Sequence, residues 1–344
     1  MRTRLEILAL ITFLAIALLP SLAAGGCPMG GGGNLTFSAV ADGRVMNGYT
    51  KYRIEFGDYD PEIGLEVGGA SELEFPLDVF MAGATLGLAG KCYGTRPWAL
   101  ALSFRTNTDD PDDPMKDSDW FTLPDYDYSL MYSYTESVAE IDAVVGDASG
   151  RIGLIALPQF GLDAVLGYRY QHFSYEILGI TGWQLALAGD NFVRVDVDTL
   201  AGENVLDYDI VYHLPYVGLA AQVKPSANFS VGMNLAFSPT ATAEDRDNHL
   251  LRHKTAKADC SGQAYFGGAE LTWKLCGAAM GRGWLLGMGA DFVKIRTSGD
   301  QDQTWYGDDP ITPDVDDTGS VITNICDEIT SVSKSVVFRL GYEF

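Results

Sequence analysis

Two groups of side chains in this sequence have types and spacings that could activate a water molecule. The first is the stretch AEDRDNHLLRH, which places Asp245, Asp247 and His249 at every second position. All three share one face wherever the chain is extended. An Asp beside a His accepts one ring N–H and leaves the other ring nitrogen to face a water. This group therefore has the composition of a general base.

The second group is the carboxylate pair in MKDSDW, residues 115–120. Asp117 and Asp119 also share a face in an extended chain, and two nearby carboxylates tend to hold one proton between them. Such a pair can hold a water. Each group alone has a simpler interpretation as solvated acidic surface, because the chain has 46 acidic residues against 23 basic ones.

The segments around these groups alternate with a period of two. In NFSVGMNLAF the apolar residues from Phe229 to Phe237 occupy odd positions, and in QFGLDAVLGYRYQHF the polar face carries Asp163 and Arg169. Strands longer than about ten residues, with an apolar outside and a polar inside, are typical of membrane barrels. Asp245, Asp247 and His249 also have odd numbers, so strict alternation would point them outward. We therefore predict a bulge or bend near Pro239 that reverses the faces.

These segments predict an all-β chain that forms a ten-stranded antiparallel transmembrane β-barrel. The predicted strands are about 34–57, 70–89, 96–108, 126–147, 151–178, 204–223, 226–242, 260–277, 282–297 and 329–344. Short turns, including one at 146–150, alternate with long loops that we assign to the outer side. The two chemical groups fall in long loops. The final SVVFRLGYEF resembles the C-terminal signature by which the barrel assembly machinery recognises bacterial outer-membrane barrels.

The N-terminus predicts export. Basic residues precede an apolar run and then a small-residue segment, the pattern of a secretory signal peptide, which we assign to residues 1–24. Residues 25–33 form a Gly-rich lead-in, and residues 34–344 form the barrel with its extracellular loops. Cys27 weakly resembles a lipidated cysteine but lacks the usual Leu. The five cysteines leave the pairing open.

The net charge of −23 argues against nucleic acid as a partner. It is compatible with cationic partners, with metal ions or simply with solubility.

The sequence resembles the omptin family of outer-membrane proteases. DSDW, YHLPYVGLA and DRDNH follow each other in the family's order. The resemblance implies an aspartic-type endopeptidase without a cofactor, whose Asp pair and Asp-His pair hold a nucleophilic water at the extracellular rim. Carried over by position, the catalytic residues are Asp117, Asp119, Asp247 and His249. Asp245 matches an acid that selects a basic side chain of a peptide or protein substrate, and Asn47 stands where the family has a second acid.

The resemblance also implies outer-membrane lipid as a partner. Family members bind lipopolysaccharide through basic side chains, whereas the matching positions here are His172 and Val211, with Tyr170 nearby. This departure argues against a strict requirement for lipopolysaccharide as an activator.

Three other functions fit parts of the sequence. A non-enzymatic barrel, either an adhesin or a pore, would keep the fold while its loops bind a ligand. An outer-membrane lipase would need a Ser beside a His, and Ser230 and Ser238 have no nearby His in sequence. A metal-dependent hydrolase would use His249 with a second ligand such as His253, but that spacing in a loop is a weak zinc signal. We therefore expect no metal.

Overall fold

The computed structural model describes residues 35–60, 65–92, 96–123, 128–188, 191–275, 283–310 and 316–344. The predicted signal peptide and Gly-rich lead-in lie outside these ranges. The strands are β1 (Thr36–Asp60), β2 (Leu65–Pro76), β3 (Val79–Cys92), β4 (Arg96–Asn107), β5 (Met115–Leu123), β6 (Tyr128–Ala156), β7 (Phe160–Ala188), β8 (Asn191–Ser226), β9 (Phe229–His249), β10 (Lys254–Leu275), β11 (Gly283–Trp305) and β12 (Val321–Glu343). No helix among the described residues is long and apolar enough to cross a membrane.

The strands form one antiparallel sheet that closes on itself through the pairing of β12 with β1. The closed ring passes through ten strands, which confirms the predicted barrel. The other two, β2 and β5, continue neighbouring strands at one end: β1 pairs first with β3 and then with β2, while β6 pairs with both β4 and β5. The pairing of β2 with β5 joins these extensions into a crown at one end of the barrel.

Parts of the predicted strand map are wrong. The turn predicted at 146–150 is continuous strand, because β6 runs on to Ala156 and the chain reverses at 157–159. Glycines in a long barrel strand give the same sequence signal as a turn. The long loop predicted between residues 242 and 260 is also strand, because β9 and β10 remain paired up to Lys254 and His249. Polar residues on both faces conceal a strand that extends beyond the membrane.

A band of exposed apolar side chains surrounds the end of the barrel opposite the crown. Its members include Leu102, Leu166, Leu219, Leu235, Leu286 and Leu340. Towards the crown, the outward positions of β9 and β10 become charged, as at Glu244, Arg246, Lys257 and Asp259. The apolar band is therefore the membrane-spanning part, and the crown stands clear of it.

The interior of the barrel is polar within the band and aromatic beneath the crown. Ion pairs fill the membrane-spanning part, such as Arg105 Nε to Asp42 Oδ1 at 2.6 Å and Arg169 Nε to Asp147 Oδ2 at 2.9 Å. Beneath the crown lies a floor of buried rings from Tyr52, Phe75, Phe173, Tyr175, Tyr208 and Tyr212. This floor separates the polar interior from the open end.

The predicted reversal near Pro239 is present. Ser238 pairs with Ala264 and Ala241 with Gly262, so β9 has one residue more than β10 at this point, which is a β-bulge. Below the bulge the odd-numbered residues of β9 are exposed, as at Leu235. Above it, the odd-numbered Asp245 and Asp247 are buried inside.

Candidate active site

The hairpin of β9 and β10 supplies an Asp-His pair to the crown. Asp247 and His249 lie on the inner face of β9, and Nε2 of His249 is 3.0 Å from Oδ2 of Asp247. A 3₁₀ turn over Leu250–Arg252 and a left-handed residue at His253 close the hairpin. Because Asp247 engages Nε2, Nδ1 is the ring nitrogen that remains to take a proton.

The strand β5 supplies the carboxylate pair. Asp117 and Asp119 share the inner face with the buried Met115, and Asp119 lies opposite Ser71 on β2. The hydroxyl of Ser71 hydrogen bonds to the carboxylate of Asp119. The two carboxylates were predicted in a loop, but they lie on a paired strand, which fixes their direction.

Electrostatic interactions show that the two groups face each other across the open end. Burial raises the pKa of Asp117 well above its usual range, and the charges of Asp119 and Asp247 raise it further. Burial also raises the pKa of Asp119, while Ser71 and His249 act in the opposite direction. Residues from β5 and β9 are far apart in sequence and are not strand neighbours. The fold therefore brings Asp117, Asp119, Asp247 and His249 together as one cluster.

Two oxygens in this cluster are available to a polar ligand. Asp117 Oδ1 and Asp247 Oδ1 are buried and have no hydrogen-bond partner among the described residues. A buried carboxylate oxygen without a donor is costly, so a bound water or a substrate group would stabilise it. Together with Nδ1 of His249, these acceptors could hold and deprotonate one water.

Two tyrosines of the floor contact the acids of β9 from below. The hydroxyl of Tyr52 donates a hydrogen bond to Oδ2 of Asp247. The hydroxyl of Tyr208 donates to Oδ2 of Asp245 at 3.2 Å, and the N–H of Ala258 donates to its Oδ1 at 2.9 Å. The ring of Phe75 stacks on Tyr208 with centroids 4.1 Å apart. These contacts hold Asp245 and Asp247 in fixed positions.

A further acid lies behind Asp245. Asp327 on β12 is 0% exposed, and its Oδ1 has no hydrogen-bond partner within the described part of the chain. Burial, followed by the charge of Asp247, raises the pKa of Asp327 to about 7. Burial also raises the pKa of Asp245, and Asp327 contributes the largest effect of any single charge. The floor of the site therefore carries two neighbouring carboxyl groups.

A lysine from β10 completes the cluster. Lys254 pairs directly with His249 in the ladder, so both side chains share the inner face. Its Nζ donates to Oε1 of Gln303 at 3.2 Å. Burial lowers the pKa of Lys254, and the charge of Arg252 acts in the same direction, while Asp247 opposes it. The resulting pKa is about 8.

The structure does not bring Asn47 into this cluster. The inward positions of β1 have even numbers, as at Met46 and Tyr52, whereas Asn47 is exposed on the outer face. The residue of β1 that reaches the cluster is Tyr52, which contacts Asp247. Sequence reasoning missed four residues of the site: Tyr52, Tyr208, Lys254 and Asp327. The alternation of β1 and β12 could have indicated inward faces, but only the fold shows which inward residues meet.

The other residues singled out in the sequence lie away from the site. His172 and Val211 are opposite each other on the outside of β7 and β8, and Nε2 of His172 is 3.5 Å from Oδ1 of Asp209. His253 is exposed and contacts the backbone oxygen of Asp308. Ser230 and Ser238 lie on β9 below or at the bulge.

No group of three or more His, Cys, Asp or Glu in the described ranges could hold a metal ion. Cys260 and Cys326 are unpaired, and Cys27 and Cys276 lie outside those ranges.

Comparisons with known proteins agree with this architecture. Residues 91–273, more than half of the chain, match the model of the Omptin family. The crystal structure of outer membrane protease OmpT from Escherichia coli superposes with a TM-score of 0.69 at 16% identity, covering 90% of this chain and 97% of that chain.

The toluene transporter TodX from Pseudomonas putida gives a TM-score of only 0.30 at 6% identity, with 90% of this chain and 89% of that chain covered. That score supports no shared fold. No curated protein matches the sequence.

Proposed function

The chain belongs to the omptin family of outer-membrane proteases, and from that premise we propose that it cleaves peptide bonds with a water held between Asp117, Asp119, Asp247 and His249. The observation that carries the proposal is the convergence of β5 and β9 at the open end of the barrel. Their four side chains come from distant segments, yet the charge of Asp247 acts on Asp117 and that of His249 acts on Asp119.

The roles follow from the contacts. Asp247 engages Nε2 of His249, so Nδ1 would accept a proton from the water as it attacks the peptide carbonyl. The carboxyl pair of Asp117 and Asp119 would hold one proton between them and orient the water. His249 would pass the proton it accepts to the leaving amine as the C–N bond breaks. General-base assistance contributes about 10² to 10⁴-fold, and correct positioning of the water adds to this. The crown stands beyond the membrane band, and we propose that it faces the outside of the cell.

Substrates are proposed to carry a basic residue at or near the cut bond. Asp245 is 6% exposed, and Asp327 lies behind it with none of its surface exposed. A cation in the cleft would face Asp245 and would also be attracted by Asp327. Burial raises the pKa of Asp245 and of Asp327, and repulsion adds to this, from Asp327 on Asp245 and from Asp247 on Asp327. A positive side chain in the cleft would relieve this repulsion.

The non-enzymatic alternative was a pore or an adhesin. The ion pairs that cross the interior, together with the aromatic floor above them, argue against an open pore. The orphaned oxygens of Asp117 and Asp247 are a better fit to water activation than to adhesion. We therefore favour the protease.

Cleavage of a library of basic and neutral peptides by the purified, folded barrel tests the proposal. We expect His249→Ala to lower cleavage at least about 10²-fold, because the general base is lost. His253→Ala is the matched control, since His253 lies four residues away and points out of the cleft. Equal activity of folded His249→Ala and wild-type protein would reject the proposed role, and absence of cleavage by the wild type would reject the protease function. The assay is run with and without lipopolysaccharide and with a chelator.

A further inference from the structure

Tyr52 occupies an unusual position in the site. It is 2% exposed, it comes from β1, and its hydroxyl donates to Oδ2 of Asp247, the same oxygen that lies 3.0 Å from Nε2 of His249. The side chain of Asp247 is 1% exposed, and its other oxygen has no donor among the described residues. Tyr52 and His249 therefore provide the hydrogen bonds that fix this carboxylate.

The ring of Tyr52 is fixed by its neighbours. Its centroid is 5.5 Å from that of Tyr208 and 6.3 Å from that of Phe75. A buried phenol in an aromatic cluster keeps few rotamers, so its hydroxyl is preorganised towards Asp247. Preorganised donors that hold a catalytic group within a fraction of an ångström contribute to rate without binding substrate.

We propose that Tyr52 is a positioning residue that extends the Asp-His pair into a chain of three groups, Tyr52, Asp247 and His249. The hydroxyl holds Asp247 in the orientation that presents Nδ1 of His249 to the cleft. It also takes part of the charge of Asp247, so that the carboxylate attracts the proton on His249 less strongly. This inference rests on the proposed function, because it assigns Tyr52 a role in that site.

Tyr52→Phe removes the hydroxyl and keeps the ring. A hydrogen bond to a charged group contributes about 1.5 to 3 kcal/mol, so we expect kcat to fall about 10- to 100-fold while KM changes less than about twofold. The other charged groups facing His249, Asp117 and Asp119 from β5, Arg252 from the turn and Lys254 from β10, are unchanged in this variant.

Tyr175→Phe is the matched control. Tyr175 is 1% exposed in the same aromatic floor, but its hydroxyl donates to the backbone oxygen of Pro76 at 3.0 Å rather than to a carboxylate. A merely structural effect of losing a buried hydroxyl should appear equally in both variants. An effect through Asp247 should appear only in Tyr52→Phe.

A second measurement does not depend on cleavage. The hydrogen bond between His249 and Asp247 can be followed by the ring N–H signal in NMR of protein labelled at its four histidines, with His249→Ala to assign the signal. We expect the ring N–H signal of His249 to move in Tyr52→Phe and to stay unchanged in Tyr175→Phe. An unchanged signal in Tyr52→Phe, or equal kcat values in the two variants, would overturn the inference. If wild-type protein cleaved no peptide, the proposed function would fail, whereas the NMR signal would still decide whether Tyr52 acts on His249 through Asp247.

Discussion

The two acids beneath the cleft, Asp245 and Asp327, differ in burial and would therefore differ in their contact with a bound substrate. Asp245 is fixed by Tyr208 and Ala258 and retains some exposure, whereas Asp327 is fully buried behind it. Asp327 would therefore act on a substrate cation through its charge alone, without direct contact. At an effective dielectric constant near 20, one charge several ångströms away contributes about 1 to 3 kcal/mol.

The first prediction concerns selectivity. At about pH 8, above the pKa of about 7 that burial gives Asp327, Asp327→Asn should reduce the preference for a basic over a neutral residue at the cut bond by about five- to tenfold, because one attractive charge is lost. The ratio of kcat/KM for two matched peptides measures this preference. Glu328→Gln is the control, since the neighbouring side chain points outward. A ratio unchanged from wild type would show that Asp327 does not act on the substrate.

At the residue scale, the sequence indicated Asp117, Asp119, Asp245, Asp247 and His249 as candidates, because alternating acids and a histidine leave a visible pattern. It did not identify Tyr52 or Asp327. A lone tyrosine in a barrel strand has many ordinary explanations, and nothing local to β12 indicates that Asp327 meets β9. The choice of Asn47 depended on an alignment across a strand where a shift of one residue reverses the face.

At the scale of elements, the bulge on β9 decides where the catalytic candidates point. Because β9 has one residue more than β10 between Ser238 and Ala241, its inward-facing residues have even numbers below the bulge and odd numbers above it. Opposite the bulge, β10 carries Gly262. A Cβ at this position would lie 2.0 Å from the backbone oxygen of Arg296, which real structures do not tolerate. The glycine therefore permits the close approach of β10 and β11 beside the bulge.

The second prediction tests this element. Gly262→Ala should destabilise the barrel by about 1 to 3 kcal/mol and lower cleavage, because β11 must shift beside the bulge. The stability is measured by thermal unfolding, with the folded and the unfolded barrel distinguished by their electrophoretic mobility. Gly267→Ala on the same strand is the control, since a Cβ there would meet only a side-chain atom of Leu235 at 3.6 Å. Equal stability of the two variants would contradict the role assigned to Gly262.

The reversal near Pro239 was predictable because parity is a strict property of strands, and the sequence placed apolar and catalytic candidates on the same parity. The crown was not predictable in the same way. The extension β5, and the upper halves of β9 and β10, carry polar residues on both faces. They lack the outward apolar face that marks a membrane strand, so these segments had the sequence character of loops.

At the scale of the whole molecule, the acidic composition affects stability. Burial raises the pKa of Asp117, Asp245 and Asp327, so the folded chain binds more protons than the unfolded chain above the usual carboxyl range. The free energy of unfolding therefore decreases as pH rises, from about pH 4. For Asp327 this decrease ends near pH 7, where its own pKa lies.

The third prediction follows from this decrease in the free energy of unfolding with rising pH. The melting temperature of wild-type barrel should fall between pH 5 and pH 8, and Asp327→Asn should reduce that fall by a few degrees, since each kcal/mol corresponds to about 2 to 4 °C in a chain of this size. Glu328→Gln removes a charge from the same strand on the exposed side and serves as the control. The same pH dependence in all three proteins would contradict the buried state of the Asp327 carboxyl.

The β5 carboxylates and the β9 Asp-His pair are proposed to act on one water, and a double-mutant cycle measures this directly. Asp119→Asn, His249→Ala and the double variant are compared with wild type by kcat/KM for a basic peptide. Groups that act as one unit are not additive, so the double variant should be about as active as the weaker single variant. Losses that multiply in the double variant would show that the two groups act independently, which would contradict a shared water.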